Sequence, residues 1–343
     1  MHQSLYRTYR PQKFSEIAGQ DHITDTLSQE IRAKKIGHAY LFSGSRGLGK
    51  TTVARIFARE IGCSNNDLYE IDAASHTQVD HMRELIEGVY TLPFESPYKV
   101  YILDEAHMLS KGAWNALLKT LEEPPSHVVF ILATTERSKV PDTVLSRCQV
   151  FEFKKPTRTG LIKLITSVAK SEGYALGQGV ADLVAFLSEG SYRDALSTLE
   201  KVFSVSKDKN ISREEAEKVT GAPRHEFIQN LVEALSKGDT NKALLTVQKA
   251  QAQDIDIPLY LSIVLEYMRQ VLLVRYAPEL HCALQEELGE EYGNVKRIAE
   301  DTESKLSHET LRVFLDASAR IRFSPIPALA LELAVLELLS QNK

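Results

Sequence analysis

Two stretches constrain the fold more than any other feature: KVYILDE at 99–105 and VVFILATT at 128–135. Each is a nearly unbroken run of β-branched, aromatic and aliphatic residues, with no alternation of apolar and polar positions. A strand of that kind has both faces covered, as inside a parallel sheet flanked by helices. Helical runs separate such strands. One spans Lys50–Ile61 and stops at Gly62; another, GAWNALLKTLEE at 112–123, is halted by Pro124 and Pro125. AYLF (39–42), LYEID (68–72) and QVFEF (149–153) read as further strands, and Val79–Val89 as an amphipathic segment. Strands alternating with helices predict an α/β domain with a parallel sheet over residues 1–154.

After Pro156 the strands stop. Residues 155–210 read as a small helical domain split by glycines, and residues 211–343 as a second all-helical region. Near the end, RFSPIPALALELAVLELLS places its second proline close to a helix start and then runs apolar for several turns. Such a helix must pack in a core or against another subunit. A chain of 343 residues fits this division into two or three domains. The net charge of −5 excludes nucleic-acid binding by bulk charge, so DNA contact must come from a local cluster or from several subunits together. No run of eighteen apolar residues and no signal-like N-terminus is seen, so no membrane partner is expected. Cys63, Cys148 and Cys282 are too few and too scattered for a disulfide framework or a closed zinc site, which suits a reducing cytoplasm.

The loop after the first strand reads Gly44-Ser45-Arg46-Gly47-Leu48-Gly49-Lys50-Thr51-Thr52, which contains G-x-x-x-x-G-K-T. Between a strand and a helix this is the phosphate-binding arrangement. The glycines let backbone N–H groups turn inward, and the helix N-terminus favours negative charge. Lys50 would reach the β- and γ-phosphates of ATP, and Thr51 would ligate Mg2+. The bland reading is a glycine-rich turn that caps a helix. Asp104 and Glu105 end the strongest strand, where ligands gather at the carboxyl edge of a parallel sheet. Asp104 would hold the magnesium through water and Glu105 would polarise the attacking water. The bland reading here is a pair of solvated acids. The letters D-E-A-H also occur in helicases, but those need two motor domains and this chain has one α/β domain. Thr134 or Thr135 at the next strand end could bond the γ-phosphate or the water. Arg147 in Ser146-Arg147-Cys148 has no chemistry of its own and reads as a surface charge, unless it serves a neighbour's phosphate.

Taken in order, YRPQKFSEIAGQ, GSRGLGKTT, YILDEAHMLSKGAWNALLKTLEEPP, FILATTERSKVPDTVLSRCQVF and GSYRDALSTLEK resemble the bacterial DNA polymerase III gamma/tau family, the AAA+ motor subunits of sliding-clamp loaders. The resemblance is dense over about the first 200 residues and looser in the C-terminal helix. It implies an AAA+ core, a helical lid and a collar through which five subunits form an open ring. It also implies as partners the sliding clamp, companion subunits, further copies of the chain and primer-template DNA. By the same resemblance Arg147 is an arginine finger acting on the adjacent subunit's ATP, and Arg193 is the lid's sensor arginine. Thr135 takes the first sensor position. Tyr6, Arg7, Arg10 and Pro11 lie along the adenine and phosphates, and Ser75 and Thr77 face DNA.

The chain departs from the family pattern in three places. The usual four-cysteine zinc module is missing, leaving Cys63 as a plain, half-buried cysteine, so no zinc is expected. His76 and Gln78 stand where relatives often carry basic residues; a metal pair of His76 and His81 is disfavoured because i, i+5 does not stack on a helix. The resemblance stops at the collar, so a form without the long tau tail is expected. Three readings follow: an ATP-hydrolysing clamp-loader motor, a non-hydrolysing stator-like scaffold of the same assembly, and another AAA+ remodeller such as a branch-migration motor. Lys50, Thr51, Asp104 and Glu105 together favour the first.

Overall fold

The computed structural model describes residues 3–75, 85–206, 208–253, 255–288, 291–321 and 323–340. Its contacts group the chain into two units, 1–173 with 181–200 and 174–180 with 201–343.

The first unit is built on a five-stranded sheet: β1 (Ala39–Ser43), β2 (Leu68–Asp72), β3 (Lys99–Asp104), β4 (Val128–Thr134) and β5 (Gln149–Glu152). The order is β2-β3-β4-β1-β5 and every pairing is parallel. The three central strands explain the unbroken apolar runs. Tyr101, Leu103, Phe130, Leu132 and Leu41 pack to one side with Trp114 and Leu117, while Ile102, Ile131, Phe42 and Tyr40 pack to the other with Val53 and Phe57. LYEID and QVFEF lie at the two edges, and both are only partly covered, unlike the central strands. Because β3, β4 and β1 are neighbours, their carboxyl ends emerge side by side, with Ser43 opposite Thr134.

Helices flank this sheet. Near the N-terminus are α1 (Leu5–Thr8) and α2 (Asp21–Ala33), followed by α3 (Lys50–Glu60) directly after the glycine loop. α4 (Lys111–Glu122) starts where the Ser110 hydroxyl accepts from the Ala113 N–H, and it buries Ala113, Trp114, Leu117 and Leu121. α5 (Asp142–Leu145) is a single turn before β5. Residues 158–203 contribute α6 (Arg158–Ser171), α7 (Val180–Leu187) and α8 (Tyr192–Phe203).

The second unit is helical but has one feature missed in the sequence. Two short strands, β6 (Ala175–Leu176) and β7 (Asn210–Ile211), pair in parallel, so strands do not stop at Pro156. A two-residue strand has no periodicity to detect. Its longest helix, Ile257–Tyr276, begins where Asp256 accepts from the Leu259 N–H, and it buries Tyr260, Leu261, Val264, Met268 and Val271. Among the described residues this is the one helix long and apolar enough to cross a membrane by length and composition, and here it forms the centre of a helical core. The C-terminal helix Pro327–Ser340 has Pro327 as its first residue and buries Ala328, Leu331, Ala334 and Val335.

Candidate functional site

The loop from Gly44 to Gly49 connects the end of β1 to the start of α3. Gly49 sits at φ 93° with nothing within 4 Å of the position a Cβ would take, so its glycine answers to backbone conformation alone. Leu48 is buried and anchors the loop, while Ser45 and Arg46 are exposed at its tip and the Gly44 N–H donates to the Thr134 carbonyl. The Lys50 side chain is buried, and its Nζ donates to the carbonyls of Gly44 (2.7 Å) and Ser45 (2.9 Å). Burial lowers the Lys50 pKa, opposed by the nearby charges of Glu105 and Asp104. A buried ammonium held only by loop carbonyls is prepared for an anion.

At the end of β3 the Thr51 hydroxyl donates to Asp104 Oδ2 at 2.8 Å. A hydroxyl and a carboxylate this close are hard oxygen donors of the type magnesium takes, so the residues fit that ion. Glu105 lies in the left-handed region at φ 48°, which a non-glycine residue adopts at a cost of about 1 kcal/mol or more. This turn aims its carboxylate at β4, where the Thr135 hydroxyl donates to Glu105 Oε2 at 2.9 Å. Thr134 is instead fully buried, and its hydroxyl accepts from the Glu136 N–H. Of the two threonines, then, Thr135 is the one that touches Glu105.

The N-terminal segment reaches the same place. Arg10 Nε donates to the Thr52 hydroxyl at 2.9 Å, Pro11 follows it, and Arg59 donates to the Gln12 carbonyl and amide oxygen. The Arg193 guanidinium at the start of α8 lies over the Tyr6 ring, 4.8 Å from its centroid, and Arg7 lies over the same ring at 5.7 Å. Hydrogen bonds from Ser4, Arg7 and Arg193 pull the Tyr6 phenol down to about 8. The start of α8 touches the glycine loop as well: the Tyr192 N–H donates to the Gly47 carbonyl at 3.2 Å. A Cβ on Gly47 would meet the Ser191 hydroxyl. Sequence reasoning missed Ser191 and His107, although His107 was visible as the last letter of D-E-A-H.

The structure does not bring every expected residue together. The Arg147 guanidinium is engaged by Glu122 Oε1 and the Thr143 carbonyl, each at 2.6 Å. Ser75, exposed just past β2, donates to Asp72 Oδ2 at 2.9 Å. Thr77, His76, Gln78 and His81 lie outside the described residues. Cys63 is buried, not half-buried, and burial pushes its thiol up to about 11. Among the described residues no group of three His, Cys, Asp or Glu side chains could hold a metal ion.

The family described as DNA polymerase III, delta subunit matches residues 19–74 and 64–157, and DNA polymerase III subunits gamma and tau domain III matches 211–343. The DNA polymerase III subunit gamma of Buchnera aphidicola from Acyrthosiphon pisum is 30% identical over 99% of this chain and 99% of its own length. The chain belongs to the DNA polymerase III gamma/tau family. Its similarity to the Bacillus subtilis subunit tau is 36% identity over 98% of this chain, which spans 63% of that relative. Among solved structures, the Thermotoga maritima RuvB Holliday junction branch migration motor aligns with a TM-score of 0.53 at 22% identity, covering 66% of this chain and 79% of that one. That likeness extends to the fold: this gamma/tau chain carries the AAA+ architecture, with an all-helical C-terminal region.

Proposed function

We propose that this chain is the ATP-hydrolysing motor subunit of a bacterial replicative clamp loader, working in the cytoplasm with a sliding clamp, companion subunits, further copies of itself and primer-template DNA. One observation carries the reading: the buried Lys50, the Thr51–Asp104 pair at 2.8 Å and the Glu105–Thr135 pair at 2.9 Å converge at the exits of three adjacent strands. A scaffold that never hydrolyses needs neither the Glu105 carboxylate nor the strained backbone that aims it. In this reading residues 1–154 are the ATPase core, 155–210 the lid and 211–343 the collar.

Lys50 would exchange its loop carbonyls for phosphate oxygens, replacing neutral acceptors with charged ones. Thr51 and Asp104 would hold magnesium, whose charge neutralises the β- and γ-phosphate oxygens when it is bound. Glu105 would polarise the attacking water once freed from Thr135. Arg193, already facing the N-terminal segment, would reach the phosphates of its own subunit, and Arg147 those of the next. Catalysis here is positioning and electrostatics, with no covalent intermediate.

The test is steady-state ATP turnover of the loader assembled with its clamp, companions and primed DNA. Stimulation by primed DNA that Glu105→Gln abolishes supports the motor. Turnover that survives Glu105→Gln, or is absent with every partner present, makes the chain a scaffold.

A further inference from the structure

His107 has no part in the reading above, yet its surroundings are unusual for a structural histidine. Its side chain is 7% exposed, and Nδ1 lies 3.4 Å from Glu105 Oε2. The same nitrogen is 3.2 Å from the Thr134 hydroxyl, and Nε2 is 3.4 Å from Glu136 Oε1. A buried imidazole needs partners for both nitrogens. These partners are all side chains, and they come from the exits of two different strands.

The backbone explains how the ring gets there. Glu105 at φ 48° is followed by a single 3-10 turn, Ala106–Met108, closed by the Met108 N–H donating to the Glu105 carbonyl at 2.9 Å. The turn folds His107 back over the residue two before it. Glu105 Oε2 is therefore oriented to the exit of β4 in two ways: the Thr135 hydroxyl donates to it, and it lies against the imidazole nitrogen that is hydrogen-bonded to the Thr134 hydroxyl, on a ring whose other nitrogen faces Glu136.

We propose that His107 is a positioning residue that ties the Glu105 carboxylate to residues 134–136, so that a displacement of the β4 exit turns the carboxylate toward or away from the attacking water. The proposal rests on Glu105 acting in ATP hydrolysis and adds the element that controls it. An arm of two residues between a strand exit and a carboxylate converts a small shift into a change of direction, and a misplacement of about 1 Å at a reacting group costs about 100-fold in rate.

The assembled loader with clamp, companions and primed DNA is assayed with His107→Leu, His107→Asn and His107→Gln, and with Glu105→Gln in parallel. His107→Leu is expected to lower kcat by about 10- to 100-fold while KM for ATP stays within about two-fold, the pattern of a group used only in the transition state. His107→Asn, whose amide falls near the Nδ1 position facing Glu105, is expected to recover most of kcat. His107→Gln, whose amide falls near Nε2, is expected to recover less. A kcat within about two-fold of the parent for His107→Leu, or a loss shared by kcat, nucleotide affinity and melting temperature, overturns the proposal. If the leucine variant fails to assemble, equal kcat for the asparagine and glutamine variants overturns it. Turnover that survives Glu105→Gln removes the ATPase reading and the proposal together, whereas loss in Glu105→Gln with none in His107→Leu removes the proposal alone.

Discussion

Replacing Gly47 by alanine tests how closely the glycine loop and the start of α8 are fitted. Gly47 has φ 76°, and an added Cβ would clash with Ser191 Oγ and lie 3.1 Å from Ser191 Cβ and 3.3 Å from Arg193 Cβ. Two costs add. Holding an L-residue in the left-handed region costs about 1–2 kcal/mol. Clearing the clash requires the Ser191 hydroxyl to rotate, which breaks the bond it accepts from the Asp194 N–H at 3.2 Å and costs about 1 kcal/mol more. The sum, about 2–3 kcal/mol, corresponds to a fall of roughly 4–10 °C in the melting temperature for a unit of this size. Thermal and urea unfolding of the nucleotide-free chain measure it. Adding Ser191→Gly removes the obstructing atoms and should return about 1 kcal/mol, leaving the conformational term. A Gly47→Ala chain that unfolds within about 0.5 kcal/mol of the parent, or a loss that Ser191→Gly deepens instead of relieving, would show that the loop and α8 are not closely fitted.

Two further outcomes are expected. Arg147→Ala breaks a partly exposed ion pair with Glu122, so stability should change by less than about 1 kcal/mol and ATP binding should persist. Turnover of the assembled loader should nevertheless fall by about 10³-fold, and unchanged turnover removes the finger assignment. Asp67 is buried and accepts from the amides of Phe94, Glu95 and Ser96 and from the Ser96 hydroxyl. Burial alone would raise its carboxyl, but these donors outweigh it and hold the group well below the usual carboxylate range. The folded pKa is depressed, so the stabilisation is complete above the unfolded value of about 3.9 and drains away as pH falls below it. Asp67→Asn should therefore cost about 2 kcal/mol at neutral pH, and the gap in urea unfolding should narrow toward about pH 3. A gap that does not change with pH refutes the assignment.

Much of the candidate site's geometry was legible because its signals are local. The glycine spacing before Lys50 and Thr51 is a backbone requirement written in consecutive residues, and the apolar runs ending in Asp104 and Thr134 announce strands covered on both faces. Local signals fail where coverage depends on position in the sheet. LYEID and QVFEF read as strands like the others, yet they became partly exposed edges because no strand lies beyond them. The two-residue strands at 175–176 and 210–211 were invisible because their pairing joins segments more than thirty residues apart.

The parallel α/β core, the glycine loop and the carboxylates at a strand exit can be read from the residues alone, since each follows from periodicity or from the conformations that glycine alone tolerates. Long-range packing set which threonine meets Glu105, what lies beneath Arg193, and that His107 stands between two strand exits. The contacts of Glu105 depend on the order β3-β4-β1 and on the turn after Glu105, which bring together side chains thirty residues apart in Glu105 and Thr135, while Arg193 meets Tyr6 across a far longer stretch of chain. No short-range pattern encodes such neighbours; they exist only once the sheet has assembled and its carboxyl ends lie side by side.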